Sequence, residues 1–308
     1  MNGDGSITAV GTEMRSYYGR PILKEPVWRP EIPWYFFTGG IAGASSVLSL
    51  VARLAGNDRL AKRSLYVAAA ADIVSPVLLI SDLGRPERFL NMFRVFKVTS
   101  PMSVGSWVLG ASGTASGTAA FLEFLGRWRP VKYAAEAVSA LTGPPLATYT
   151  GTLIADTAIP VWHEARHELP FLFGASAVAS AGAASTMLVP PAEAGPARRM
   201  AVGGVVATNA LSLAMQARLG MVGEVYHRGE SGKYSAIAKL CTTTGAVLLR
   251  RRGRRSRVAS VIGGALVLGG EASLRWSVFK AGFQSARDPK YTVVPQRERI
   301  RASAKNGQ

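Results

Sequence analysis

Tyr149, Thr152 and Asp156 are spaced by three and four residues, so a helix would carry a phenol, an alcohol and a carboxylate on one face. A hydroxyl that can bond a carbonyl, two turns from a carboxylate, is a proton-handling arrangement. Just beyond lies PVWHEARHE, residues 160–168, with Trp162, His163, Glu164 and His167. Two other stretches have related composition: EIPWYFF at 31–37 holds Glu31, Trp34 and Tyr35, and SDLGRPERF at 81–89 holds Asp82, Arg85 and Arg88. A quinone head needs this mixture: a slot for an apolar tail, an aromatic wall, donors for two carbonyls and a proton path. Asp156 and His163 are the candidate catalytic groups, and Tyr149, Glu31, Trp34, Tyr35, Asp82 and Arg85 the candidate binding groups.

Elements that could position these groups follow from where charge is missing. The 308 residues are 48% apolar, which does not separate a soluble chain from a membrane one. The distribution does, because charged residues cluster between stretches long enough for a ~30 Å hydrocarbon core. Backbone groups in lipid must bond within their own segment, so these stretches are expected to be helices. Eight spans are expected, at about 33–54, 64–81, 102–125, 137–162, 169–189, 200–222, 235–249 and 258–281. The chain thus reads as an all-α polytopic membrane protein. The seventh span is short and contains Lys239. Gly39 with Gly43, and Gly113 with Gly117, form GxxxG pairs that let helix backbones approach. Pro144 and Pro145 should kink the fourth span.

With eight spans, both termini fall on one side, together with the loops after spans 2, 4 and 6. That side gathers the ends that carry Glu31, Asp82, the TSPM entry at 99–102 and His163. The opposite side carries fifteen Lys and Arg in or beside short loops, including RRRGRRSR at 250–257, against seven in the interior loops of the first side. Short basic loops stay cytoplasmic, so the termini are expected outside the cell membrane. No cleavable signal peptide is legible in the first 30 residues.

Several classes are excluded. A net charge of +17 in a soluble protein would suggest nucleic acid, but here the basic residues border spans and face lipid headgroups. One cysteine, Cys241, can neither close a disulfide within the chain nor hold an iron–sulfur cluster. His163, His167 and His227 fall outside the spans, so no pair of facing helices offers two haem ligands. Inside the spans, Asp72, Asn209, Gln216, Arg218 and the Glu271–Arg275 pair at i, i+4 are functional candidates by cost alone. Plainer readings stay open: Trp34, Tyr35 and Trp162 as interfacial belt aromatics, Asp72 bonding a neighbouring helix, Glu271–Arg275 as a structural ion pair and His163 as a solvated loop residue.

The stretches EIPWYFFTGGIAG, SDLGRPERFLNMFRVFKVTSPMSVGSW, PPLATYTGTLIADTAIPVWHEARHELP and ARDPKYTVVPQRER resemble the NrfD/polysulphide reductase membrane subunits over nearly the whole chain. That resemblance implies eight helices in two four-helix bundles. It divides the chain into a polar arm (1–32), an N-terminal bundle with the quinone site (33–165), a C-terminal bundle (166–283) and a basic tail (284–308). It implies menaquinone or ubiquinone as cofactor, with no haem or iron–sulfur cluster in this chain. Its implied partners are an iron–sulfur subunit and, through it, a catalytic subunit such as a molybdopterin enzyme; loop 82–101, where Arg85, Arg88, Arg94 and Lys97 offer donors, and the tail are the expected dock. Tyr149 and the Glu31–Tyr35 stretch match the family's site positions. The polysulphide reductase type has a histidine and an asparagine near its first helix. Neither occurs in the Glu31–Tyr35 stretch, which leaves Asp156 or His163 for proton transfer. An ion- or proton-translocating subunit is the alternative, since Asp72 and Lys239 would suit one.

Overall fold

The computed structural model describes residues 22–297, and these are helical with no strand among them. Nine α-helices run in chain order among the described residues: α1 (Glu31–Leu54), α2 (Asp58–Asp82), α3 (Pro101–Leu125), α4 (Arg129–Ala155), α5 (Pro160–Glu164), α6 (Leu169–Leu188), α7 (Gly195–Leu219), α8 (Gly229–Arg251) and α9 (Arg257–Arg287). Two 3₁₀ segments, Pro86–Phe93 and Val222–His227, link α2 to α3 and α7 to α8. All but α5 have 20 residues or more.

Helix ends follow local chemistry. Asn57, Ser100 and Ser256 accept the backbone N–H three residues on and so start α2, α3 and α9. Proline stands in the first turn of α3, α4, α6 and α7, where its missing N–H costs nothing. The fourth span is expected at 137–162 but α4 ends at Ala155, and a separate turn of helix, α5, begins at Pro160. The seventh is longer than its apolar stretch, because α8 includes the polar run Gly229–Tyr234. α4 continues through Pro144 and Pro145, and the Thr148 hydroxyl bonds the Pro144 carbonyl at 2.9 Å.

Five helices, α1, α2, α6, α7 and α9, are long and apolar enough to cross a membrane. α3, α4 and α8 match them in length but fall short in hydropathy, because glycine, serine, threonine and charged residues dilute their apolar content. Outward positions are nonetheless apolar: Ile73, Val77, Phe121, Leu141, Val206 and Leu240 are all exposed.

α1 is the central element. It packs along α2 and α4 on one side and against α6 on the other, while α3 lies on α4. α6 packs on α7 and α9, and α9 pairs along α8. α1 and α4 approach closely at Gly43. A Cβ there would stand 2.3 Å from the Gly143 carbonyl oxygen, and one on Gly143 would stand 2.4 Å from that of Gly43. Ser46 seals the contact by donating to the Gly43 and Ser139 carbonyls at 2.8 and 3.0 Å. The other GxxxG pair does not work this way: Gly117 has nothing within 4 Å, and a Cβ on Gly113 would meet Asp72 of α2 only at an ordinary 3.9 Å.

Gly143→Ala should therefore lower the melting temperature of the detergent-solubilised chain by a few degrees, as overpacking by one methyl costs about 1–3 kcal/mol. Gly117→Ala should leave it unchanged or raise it, since alanine favours helix at a site with open space. Equal effects of the two changes would refute the α1–α4 approach as the governing contact.

Candidate functional site

The ends of α1, α2, α3 and α4 that the sequence reading assigns to one face do meet at a cavity. Trp28, Ile32, Tyr35 and Phe36 line it from α1 and the residues before it, and Leu79, Asp82 and Leu83 from the end of α2. Met92 reaches it from the first 3₁₀ segment, Met102 and Ser106 from α3, and Tyr149 and Leu153 from α4. The wall is mostly apolar and the polar groups are few, as in sites that bind an apolar ring and orient it.

Tyr35 and Tyr149 form its centre. Their ring centroids are 6.4 Å apart in an edge-on arrangement. Tyr35 is 1% exposed, and its hydroxyl is buried with no hydrogen-bond partner. A buried phenol donor without an acceptor is unfavourable in a native fold unless something else supplies the acceptor. Tyr149 is half-buried and seated against Gly105 of α3, where a Cβ would stand 2.0 Å from its ring. Glycine at 105 is thus what lets the Tyr149 ring lie flat against α3. The Ser106 hydroxyl bonds the Met102 carbonyl at 2.9 Å and faces the Met92 sulfur at 3.6 Å.

Asp82 lines the cavity and also holds the chain above it, for its Oδ1 accepts the Arg29 backbone N–H at 3.0 Å. Trp28 stacks on Trp162 at 5.4 Å between centroids, and Trp162 is fully buried, its Nε1 donating to the Val278 carbonyl at 2.7 Å. Trp162 is therefore a core residue and not a belt aromatic, because α5 turns it inward against Gly282 of α9. Glu25 meets Arg287 through two bonds of 2.9 Å, and that guanidinium holds the Glu25 carboxyl below the usual glutamate range. The residues before α1 and the end of α9 are thereby fastened on the same side as the cavity.

The other expected site residues stand apart from it. Trp34 is 43% exposed and packs on Phe37 and Trp276, facing outward one position from Tyr35. Glu31 is half-buried at the first turn of α1 with Oε2 unpartnered, and it does not line the cavity. Arg85 is exposed at the start of the 3₁₀ segment. Asp156 lies one residue past α4, exposed, so the face it shares with Tyr149 has left the helix bundle by the time it is reached. His163 is exposed on α5.

Sequence reasoning missed Met92, Ser106, Leu79 and Leu153. None carries a signal of its own, although Met92 and Ser106 sit inside the long stretch 81–107. It also missed a buried ionic cluster at the opposite end of the same helices. Arg53 donates to Glu136 at 2.6 Å and to Glu123 at 3.2 Å, Lys132 to Glu123 at 2.7 Å, and Ser49 to Glu136 at 2.5 Å. Arg53 and Lys132 are thus ion-paired inside the helices and are not free loop charges. The i, i+4 pairing of Glu271 with Arg275 is also not formed: both Glu271 oxygens lack a hydrogen-bond partner, while Arg275 donates to the Phe173 carbonyl at 2.9 Å and lies 3.7 Å over its ring. Arg218, expected within a span, stands in the last turn of α7 and bonds the Glu168 carboxylate and the Glu164 carbonyl. Asp72 accepts from Ser112 and Ser116 of α3 at 3.1 and 2.6 Å, as a helix-to-helix tie would.

No curated protein matches the chain. A family model described as polysulphide reductase, NrfD matches residues 24–243, a region that contains the whole cavity lining and most of the helices. Long apolar helices and that match agree, and the chain belongs to the NrfD family, multi-pass membrane subunits of redox complexes.

Proposed function

We propose that the cavity at the α1–α4 end binds a membrane quinone, menaquinone or ubiquinone, and that the chain anchors an oxidoreductase complex by exchanging electrons between that quinone and a partner iron–sulfur protein. The observation that carries this reading is the Tyr35 hydroxyl, buried, unpartnered and set beside Tyr149 at a mostly apolar cavity. A ligand carbonyl is the acceptor it lacks. When bound, a quinone supplies the two-electron, two-proton chemistry. The protein's own groups bind and orient: Tyr35 and Tyr149 donate to carbonyl oxygens, and Phe36, Leu79, Met92 and Leu153 exclude water around the ring. Asp156 and His163, exposed beyond the cavity, exchange protons with solvent and do not touch the ring. Glu31, Trp34 and Arg85 stand outside the cavity and have no direct contact with the ring in this reading.

Eight spans in two four-helix bundles, α1–α4 and α6–α9, account for the packing of α1 on α2 and α4 and of α9 on α8 and α6. The units of this reading are the arm 1–32, the bundles 33–165 and 166–283, and the tail 284–308. Residues 1–21 and 298–308 lie outside the described residues.

The partner dock is proposed on loop 82–101. There Arg85, Arg88, Arg94 and Lys97 are exposed beside exposed Leu90, Val95 and Phe96, a mixed apolar and cationic surface directly over the cavity. An iron–sulfur protein seated there, carrying a catalytic subunit such as a molybdopterin enzyme, would bring its cluster near the ring.

Tyr35→Phe and Tyr149→Phe should each retain normal amounts of assembled complex, since neither removes a hydrogen bond within the protein that the fold is known to use. Each should lower quinone-linked turnover several-fold, the worth of one hydrogen bond, while activity with an artificial acceptor persists. Asp156→Asn should slow turnover more than it weakens quinone affinity. Unchanged quinone-linked rates per complex in all three variants would reject the site.

Arg85→Glu with Arg88→Glu should release the soluble subunits from membranes, measured by their share in the supernatant. A complex that purifies intact would put the dock elsewhere.

The reading puts the basic 250–257 segment inside and the termini outside the cell membrane, on the ground that short basic loops stay cytoplasmic. Cysteine labels near residue 253 and near residue 2 should react from opposite sides. A reactive terminal label from the cytoplasmic side would reverse the orientation.

A further inference from the structure

Hollows in the α1–α4 half adjoin one another and share walls. The cavity described above and a second, of about 360 Å³ between α2 and α3, have Leu79, Met92 and Ser106 in common. The second and a third, of about 570 Å³ between α3 and α4, have Phe93, Gly110 and Thr114 in common. The third is a groove on the outer surface, where Trp107, Ala111, Thr118 and Val138 are exposed. Along α3 the common thread is Ser106, Gly110, Thr114 and Thr118, spaced by four and so on one helix face. From Ser106 to Thr118 this track runs roughly 18 Å along the axis, at about 1.5 Å per residue.

Local sequence explains why the track is open. Gly110, Ala111, Gly113 and Ala115 leave α3 without bulk on that side. α2 is held at a set distance by the bonds from Ser112 and Ser116 to Asp72, and a Cβ on Gly113 would still stand 3.9 Å from it. Gly110 seats the Phe93 ring, from which a Cβ would stand 2.9 Å. Met92 and Phe93 are the partitions between successive hollows, and both belong to the 3₁₀ segment, none of whose residues is buried. An unbranched methionine on such a segment turns aside at little cost.

The walls restrict what fits. Ser106 and Thr114 spend their hydroxyl hydrogens on the Met102 and Gly110 carbonyls, at 2.9 and 2.8 Å. Asp72 keeps Oδ1 buried and gives Oδ2 to two hydroxyls, so its carboxylate is turned to α3 and not to a ligand. An apolar chain suits such a passage, because it asks only for close contact. The phenols stand at one end of the track and lipid at the other. We infer that the track along α3 holds the isoprenoid tail of the quinone whose ring occupies the first cavity, and that the ring enters and leaves sideways between α2 and α3, past Met92 and Phe93. A phospholipid acyl chain would fill the outer groove alone, whereas a ring with a tail fills all the hollows at once. This inference rests on the quinone reading of the first cavity and adds to it a route and a preference for long tails.

The test uses the purified complex in lipid nanodiscs and a 1,4-naphthoquinone whose tail of several isoprene units ends in a diazirine. Illumination should attach the probe within 107–118 of α3 or 135–138 of α4, and an excess of unmodified long-tailed quinone should abolish the labelling. Labelling on exposed faces elsewhere, such as Val206 and Leu240, or labelling that the competitor leaves untouched, overturns the inference. Equilibrium binding gives a second readout. Gly113→Leu fills the second hollow, and Thr114→Trp blocks its junction with the third. Each should weaken binding of the long-tailed quinone several-fold and leave that of a tail-less 1,4-naphthoquinone unchanged. The loss is modest because the tail trades lipid contacts for protein ones and gains only the better fit. Thr114 is exposed, so its variant guards against a folding defect in the other. Unchanged long-tail affinity in both variants overturns the inference, as does an equal loss of both ligands in Thr114→Trp. If the unaltered complex binds neither ligand, the quinone reading itself fails, which separates that failure from the failure of the tail route.

Discussion

Two glycines set the distance on which the cavity depends. α1 and α4 run antiparallel, and their backbones touch at Gly43 and Gly143. Tyr35 lies eight residues from the contact on α1, and Tyr149 six residues from it on α4, both toward the same end. At about 1.5 Å per residue that is roughly 12 and 9 Å along the axes, so the two phenols arrive at nearly one level. Helices held apart by side chains would separate them and widen the space between. Association in lipid gains little from the hydrophobic effect and depends on close van der Waals fit, so a glycine pair can govern the geometry of a whole helix group.

The same four helices treat charge differently at their two ends. At the end away from the cavity, Arg53, Lys132, Glu123 and Glu136 neutralise one another in a buried cluster, with Ser49 completing it. Charges withdrawn from water are tolerable when every one finds an opposite partner, and such a cluster resists sliding of α1, α3 and α4 along one another. At the cavity end the charged groups lie in the loops, while the buried groups are phenols and one half-satisfied carboxylate. Buried polar atoms without partners are not confined to the cavity end, for Ser45 of α1 and Ser139 of α4 also lack one. Glu271 and Arg275 of α9 likewise lie buried between α9 and α6 without closing an ion pair. Arg275 is instead held by the Phe173 carbonyl and ring.

The aromatic block above the cavity ties the first half of the chain to the second. Trp28 stacks on Trp162, Phe36 packs at a tilt on Phe173, and Trp162 bonds α9. Residues before α1 are thereby fixed over the cavity mouth by contacts that come from α5, α6 and α9. A change at Gly282, where the Trp162 ring rests, would reach the cavity through Trp28, which stacks on Trp162 and lines the cavity.

Much of this was legible in the sequence, for a clear reason. Charge-free stretches of span length admit one backbone solution in lipid, so helices and their order follow from composition alone. Tyr149, Tyr35 and Asp82 were legible as candidates because chain order alone puts the ends of the first four helices on one face. The three stretches within residues 31–170 that resemble the NrfD subunits were also readable there, and the family match over 24–243 bears them out, while ARDPKYTVVPQRER lies beyond it. What the sequence could not decide was rotation about each helix axis. Tyr35 and Trp34 are neighbours in the chain, yet one points into the cavity and the other out, as their helix phase against α4 and α9 dictates. Asp156 has the right spacing from Tyr149, but α4 ends one residue too soon to hold it on the shared face. Gly43 and Gly117 belong to identical motifs, and only the tertiary structure distinguishes a backbone contact from open space. Spacing is a property of one helix, whereas a site is made by the relative rotation of several, and that is fixed by packing.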